Sequence, residues 1–188
     1  MGLNTTLLIF KNIPSDKVEE KTYQIFKLLN LKIVNRIFDV EFSRKSSLIY
    51  SNQENIGVTY FEGSLIFENS FSKFMTYSKP CIIQYMSNYN PIFHILISDT
   101  TDTSSYEIYL NGSYFYKNFG FEDIDISFLD KYGFDQDEER GSCLKTNESL
   151  EPELLQFIKS FNYYDVVNQK ISVFETIDLQ EHKPSPTK

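Results

Sequence analysis

The sequence predicts an α+β fold: a single domain built on a mostly antiparallel sheet with two main helices packed on it. Three observations carry that expectation. Asn111-Gly112 separates two runs of alternating character, Tyr106 to Leu110 and Ser113 to Lys117. Asn-Gly supplies both positive-φ positions of a type I′ hairpin turn. Apolar residues recur at helical spacing over residues 16–30 and 150–162. The unbroken Leu7-Leu8-Ile9-Phe10 run suits a strand covered on both faces, near the middle of a sheet.

From the N-terminus, Leu3 to Lys11 reads as the first strand. Asn12-Ile-Pro-Ser-Asp16 breaks it and opens a helix, with Asp16 as N-cap and Glu19 three residues on completing a capping box. Val18, Thr22, Ile25, Phe26 and Leu29 form the core stripe, leaving Glu19, Glu20, Lys21, Gln24 and Lys27 in solvent. Lys32 to Phe42 is a strand bent near Asn35-Arg36, and Leu48 to Tyr50 a short one. Ile56 to Phe61 turns at Glu62-Gly63 into Ser64 to Glu68, a second hairpin. Ser70 to Tyr77 reads as a short helix ending before Pro80. Cys81 to Met86 and Pro91 to Asp99 read as paired strands, making 81–117 a four-strand meander.

A two-residue loop fixes register, so Leu110 should oppose Ser113, Tyr109 oppose Tyr114, Ile108 oppose Phe115 and Glu107 oppose Tyr116. One face then carries Ile108, Leu110 and Phe115 toward the core. The other shows Glu107, Tyr109, Tyr114 and Tyr116 to water, since tyrosine hydroxyls tolerate it.

Beyond the hairpin the composition shifts. Residues 121–153 hold eleven acids against three bases, leaving −8, which matches the formal charge of the whole chain (18 Lys and Arg against 26 Asp and Glu). Ser149 caps the second main helix, with Pro152 in its first turn and Leu154, Leu155, Ile158 and Phe161 as its core stripe. Val166 to Val173 resembles a last strand. The domain is expected to span 1–180, with 181–188 a disordered tail too polar and proline-rich to fold.

The 188 residues suffice for a real core without disulfides. Cys81 and Cys143 are distant in sequence, so both are read as free thiols in a reducing cytoplasm, Cys81 as a small core residue. Negative charge opposes nucleic acid, and no apolar run approaches the roughly 20 residues that cross a bilayer. Asp135-Gln-Asp-Glu-Glu139 is rich in oxygen ligands, but an EF-hand would need glycine where Arg140 stands and an acid where Thr146 stands. Two cysteines and His94, the histidine outside the tail, fall short of a zinc site. No G-x-G-x-x-G or P-loop spacing occurs. A Cys–His pairing with His94 lacks a strand-to-helix nucleophile turn, and Asp123 with Asp125 reads as the polar face of a strand. No cofactor, metal or catalytic residue is therefore expected.

The opening Met1-Gly2-Leu3-Asn4-Thr5-Thr6-Leu7-Leu8, Tyr50-Ser-Asn52 and Val58-Thr-Tyr-Phe-Glu-Gly63 resemble an uncharacterised bacterial family whose members begin Met-Gly-x-Lys-Thr, with Asn4 here in place of the lysine. The resemblance covers the first third of the chain. It implies a soluble bacterial α+β protein and no activity. The residues themselves point to a non-catalytic binding protein of the immunity or antitoxin kind. Its acidic, tyrosine-bearing surface (Tyr109, Tyr114, Tyr116, Asp135, Asp137, Glu138, Glu139) would occlude a basic protein. The alternatives are a small hydrolase or transferase using carboxylates and His94, and a structural subunit of a larger assembly.

Overall fold

A computed structural model describes residues 4–41, 48–49, 52–70, 73–75, 79–98, 103–120, 169 and 171–179. Eight strands form one sheet: β1 (Asn4–Phe10), β2 (Leu31–Val40), β3 (Asn55–Phe61), β4 (Ser64–Asn69), β5 (Ile92–Ser98), β6 (Thr103–Leu110), β7 (Ser113–Gly120) and β8 (Ile171–Asp178). Their order is β2-β8-β3-β4-β1-β5-β6-β7, and every neighbouring pair is antiparallel. The helices α1 (Val18–Leu28) and α2 (Lys79–Met86) lie on one face. The α+β architecture is thus as expected. No described helix is long and apolar enough to cross a membrane.

Both hairpins form where glycine-containing turns demand them. Asn111 (φ 51°) and Gly112 (φ 72°) link β6 to β7, and all four expected pairings occur, from Leu110–Ser113 to Glu107–Tyr116. Glu62 (φ 45°) and Gly63 (φ 73°) link β3 to β4 in the same left-handed pair of conformations. β1 sits between β4 and β5, and Leu7, Leu8, Ile9 and Phe10 are all buried, so its two faces are covered as the apolar run required. On the helix side Leu8, Phe10, Phe67 and Phe174 meet Ile25, Phe26 and Leu29 of α1 and Ile83 and Met86 of α2. Phe26 anchors this layer, its ring 5.3 Å from Phe67 and 5.0 Å from Phe174.

Several expectations are corrected. Cys81 to Met86 is helical, not a strand, so β5, β6 and β7 make a three-strand meander preceded by α2. Burial at Lys79, Ile83 and Met86 has helical spacing, and Pro80 lies in the first turn, where a missing N–H breaks no helical bond. Leu48 and Ile49 are helical as well, and within 70–77 the described element is a single 3₁₀ turn, Lys73–Met75. Asp16 makes no cap: Ser15–Lys17 is a 3₁₀ turn, and the α1 N-cap, Lys17, has no side-chain cap bond. Cys81 is exposed, because its place on α2 faces away from the stripe that packs inward. The last strand is described over Ile171–Asp178 and inserts between β2 and β3, whereas 166–168 and 170 of the expected strand lie outside the described residues. β2 carries the expected irregularity near Asn35 and a second between Ile37 and Val40. The helix expected at 150–162, the acidic segment 121–153, Cys143 and the tail lie outside the described residues.

Candidate functional site

Two places gather chemistry-bearing side chains, one sealed and one open. The sealed one follows from strand register. His94 on β5 stands opposite Glu107 on β6, with Leu8 of β1 on its other side. His94 Nδ1 lies 2.7 Å from Glu107 Oε2, and the Tyr109 hydroxyl donates to the same oxygen at 3.1 Å. An oxygen that accepts from both partners assigns the Nδ1 hydrogen to the histidine and leaves Nε2 as the second ring position. Nε2 is buried and has no hydrogen-bond partner among the described residues. His94 and Glu107 are each 3% exposed and Tyr109 2%.

A carboxylate that orients an imidazole is half of a nucleophile-activating arrangement. Here no hydroxyl or thiol among the described residues completes it at Nε2. The surface reading of Glu107 and Tyr109 is therefore corrected. Tyr109 belongs to the core with Ile92, Ile83 and Met86, because α2 covers the face that the hairpin alone would have left wet. Tyr114 and Tyr116 keep their places opposite Tyr109 and Glu107 in the ladder, but their side chains lie outside the described residues, as do Asp135, Asp137, Glu138 and Glu139. Among the described residues no group of three or more His, Cys, Asp or Glu could hold a metal ion.

The open place surrounds Arg36 on edge strand β2. Its guanidinium donates through Nη1 to Glu19 Oε1 at 3.0 Å and to the Tyr23 hydroxyl at 3.3 Å, both on α1. The Arg36 Cζ stands 3.9 Å from the Phe38 ring centre and 4.8 Å from that of Phe174, the stacked geometry in which a cation meets an aromatic face. Phe38 is 61% exposed and Tyr23 44%, while Phe174 is buried, so Arg36 ties two surface rings to the core. Beside it a cleft of about 260 Å³ is lined by Glu19, Thr22, Arg36, Asp39, Tyr60 and Ser172, among others.

Charge in this cleft is unevenly matched. Glu19 is engaged by Arg36, whereas Asp39 has no cation at ion-pair distance among the described residues. Asp39 has φ 51°, a left-handed conformation rare for a non-glycine residue, and sits at the second irregularity of β2. Sequence alone makes Glu19 a capping-box partner and solvated helix position, Arg36 part of a strand bend and Phe38 a strand residue, and singles out neither Tyr23 nor Asp39. Glu19 and Tyr23 are four apart on α1, off its buried stripe, which was the legible part of the signal. The bond from α1 to Arg36 spans 17 positions and follows from packing alone.

Compared with protein-family models, curated proteins and solved structures, the chain matches none.

Proposed function

We propose that this chain is a non-catalytic cytoplasmic binding protein of the immunity or antitoxin kind, and that it occludes a basic protein through the surface around Arg36. One observation carries the reading. Exposed Phe38 and Tyr23 converge on a fixed guanidinium beside a cleft whose remaining charge is the Asp39 carboxylate. Aromatic anchors rimmed by charge are how protein interfaces combine affinity with fast encounter. An arginine or lysine of the partner would enter the cleft, pair with Asp39 and lie against Phe38. The chain's formal charge of −8 would steer a cationic surface toward it.

Edge strand β2 offers backbone groups too, but its two irregularities interrupt the ladder a second strand would need, so side chains carry the contact. The test is capture from the native host with the wild-type chain, Phe38→Ala and Asp39→Asn. A basic protein released by moderate salt and lost with either variant supports the reading. A captured partner that is acidic, or is retained equally by both variants, defeats it.

A second reading rests on the unclaimed Nε2 of a carboxylate-oriented His94. It makes the chain a hydrolase or transferase whose site opens on binding substrate. Hydrolysis of ester or phosphoester libraries that disappears with His94→Gln would favour it over the binding protein.

A further inference from the structure

Across α1 from Arg36 lies a groove that the reading above does not use. It runs between α1 and α2 and measures about 230 Å³. Its apolar lining is Phe10, Ile13, Ile25, Leu28 and Met86, with Gln24 and Asn90 as polar neighbours. Tyr85 and Tyr89 stand at its mouth, 57% and 70% exposed, their rings edge to face at 5.8 Å and their hydroxyls 3.1 Å apart. One hydroxyl of such a pair donates to the other, which leaves one proton free to donate outward. The bond to Tyr85 raises Tyr89 above the ordinary tyrosine value, so Tyr89 keeps its proton at neutral pH.

The groove's one charged lining residue is Lys21, placed there because 21, 25 and 28 share one side of α1. Its Nζ donates to Gln24 Oε1 at 3.1 Å, which leaves two of the three ammonium hydrogens unassigned. No carboxylate lies within ion-pair distance of Lys21 among the described residues, although the chain as a whole has an excess of acids. Neighbouring Lys17, by contrast, is paired with Glu20. An apolar hollow with an uncompensated cation and a hydroxyl donor at its rim is complementary to a ligand that is apolar at one end and anionic at the other.

We propose that this groove binds a small carboxylate with an apolar body. The carboxylate sits on Lys21 within reach of the tyrosine hydroxyls, and the body lies against Ile25, Leu28 and Met86. Size agrees with chemistry, since an apolar cavity of roughly 150 Å³ holds benzene and this groove has room for a ring with a short chain. The proposal is independent of the partner surface around Arg36, which lies on the opposite side of α1.

The experiment titrates 4-phenylbutyrate and its neutral counterpart 4-phenyl-1-butanol into the full chain, following the ε-methyl resonance of Met86. The expected result is a saturable shift with both ligands, the acid binding about fivefold or more tighter. Lys21→Gln should erase that preference and leave the alcohol's affinity unchanged. Leu28→Glu, at a position exposed enough to accept the change, should weaken the acid more than the alcohol. A Met86 methyl that moves with neither ligand, equal binding of acid and alcohol by the wild type, or a preference that survives Lys21→Gln overturns the proposal.

Discussion

The interior around β5, β6 and α2 and the surface around Arg36 use the same residue types to opposite ends. Inside, Glu107 holds His94 and Tyr109, and Lys79 pairs with Asp178 across 99 residues of sequence with both side chains fully buried. Outside, Arg36 holds Glu19 and Tyr23 on a surface where the rings remain in contact with water. The difference is solvent. A buried ion or hydrogen bond is costly to leave without its partner, whereas an exposed one contributes little to stability and stays available to another molecule.

That contrast can be broken most forcefully at Lys79. Lys79→Met removes the cation that faces the buried Asp178 carboxylate and should cost about 3–5 kcal/mol in urea unfolding. Adding Asp178→Leu should recover most of the loss, because an apolar pair of similar volume removes the buried charge. Glu107→Ala comes next, at about 2–4 kcal/mol, since it deprives the His94 Nδ1 hydrogen and the Tyr109 hydroxyl of their buried acceptor. A midpoint within error of wild type would show that water reaches the cluster.

On the open side the expected stability effects are small. Phe38→Ala and Asp39→Asn should each stay within about 0.5 kcal/mol of wild type while weakening capture of a basic partner. A large loss of stability there would make the Arg36 cluster a structural device instead. The smallest effect sharpens the boundary between the two regions. Lys11 is partly buried, and burial lowers its ammonium below the ordinary 10.5, with Glu62 partly offsetting this. The unfolded chain therefore holds the proton more tightly. Stability should rise with pH as Lys11 deprotonates in the folded state, level off above about 10.5, and lose this rise in Lys11→Met.

What the sequence could and could not disclose divides along the same line. Asn111-Gly112 and Glu62-Gly63 specify left-handed pairs within four residues, so turn type and register were legible. The stripe of Thr22, Ile25, Phe26 and Leu29 on α1 was legible for the same reason, as was the double-sided burial of β1. Cys81 to Met86 was misread because a six-residue apolar run fits either period until its packing partners are known. Glu107 and Tyr109 looked like a wet face because a hairpin carries no record of the helix that covers it. The Arg36 cluster was invisible as a site, since its members come from α1, β2 and β8.

Local chemistry by itself therefore determined the turns, the registers and the amphipathic faces, because each depends on backbone sterics and side-chain period over a few residues. Only the tertiary structure decided which polar groups were sealed and which remained open. Burial depends on what other segments lie across a face, as when β8 enters between β2 and β3 and its Asp178 meets Lys79.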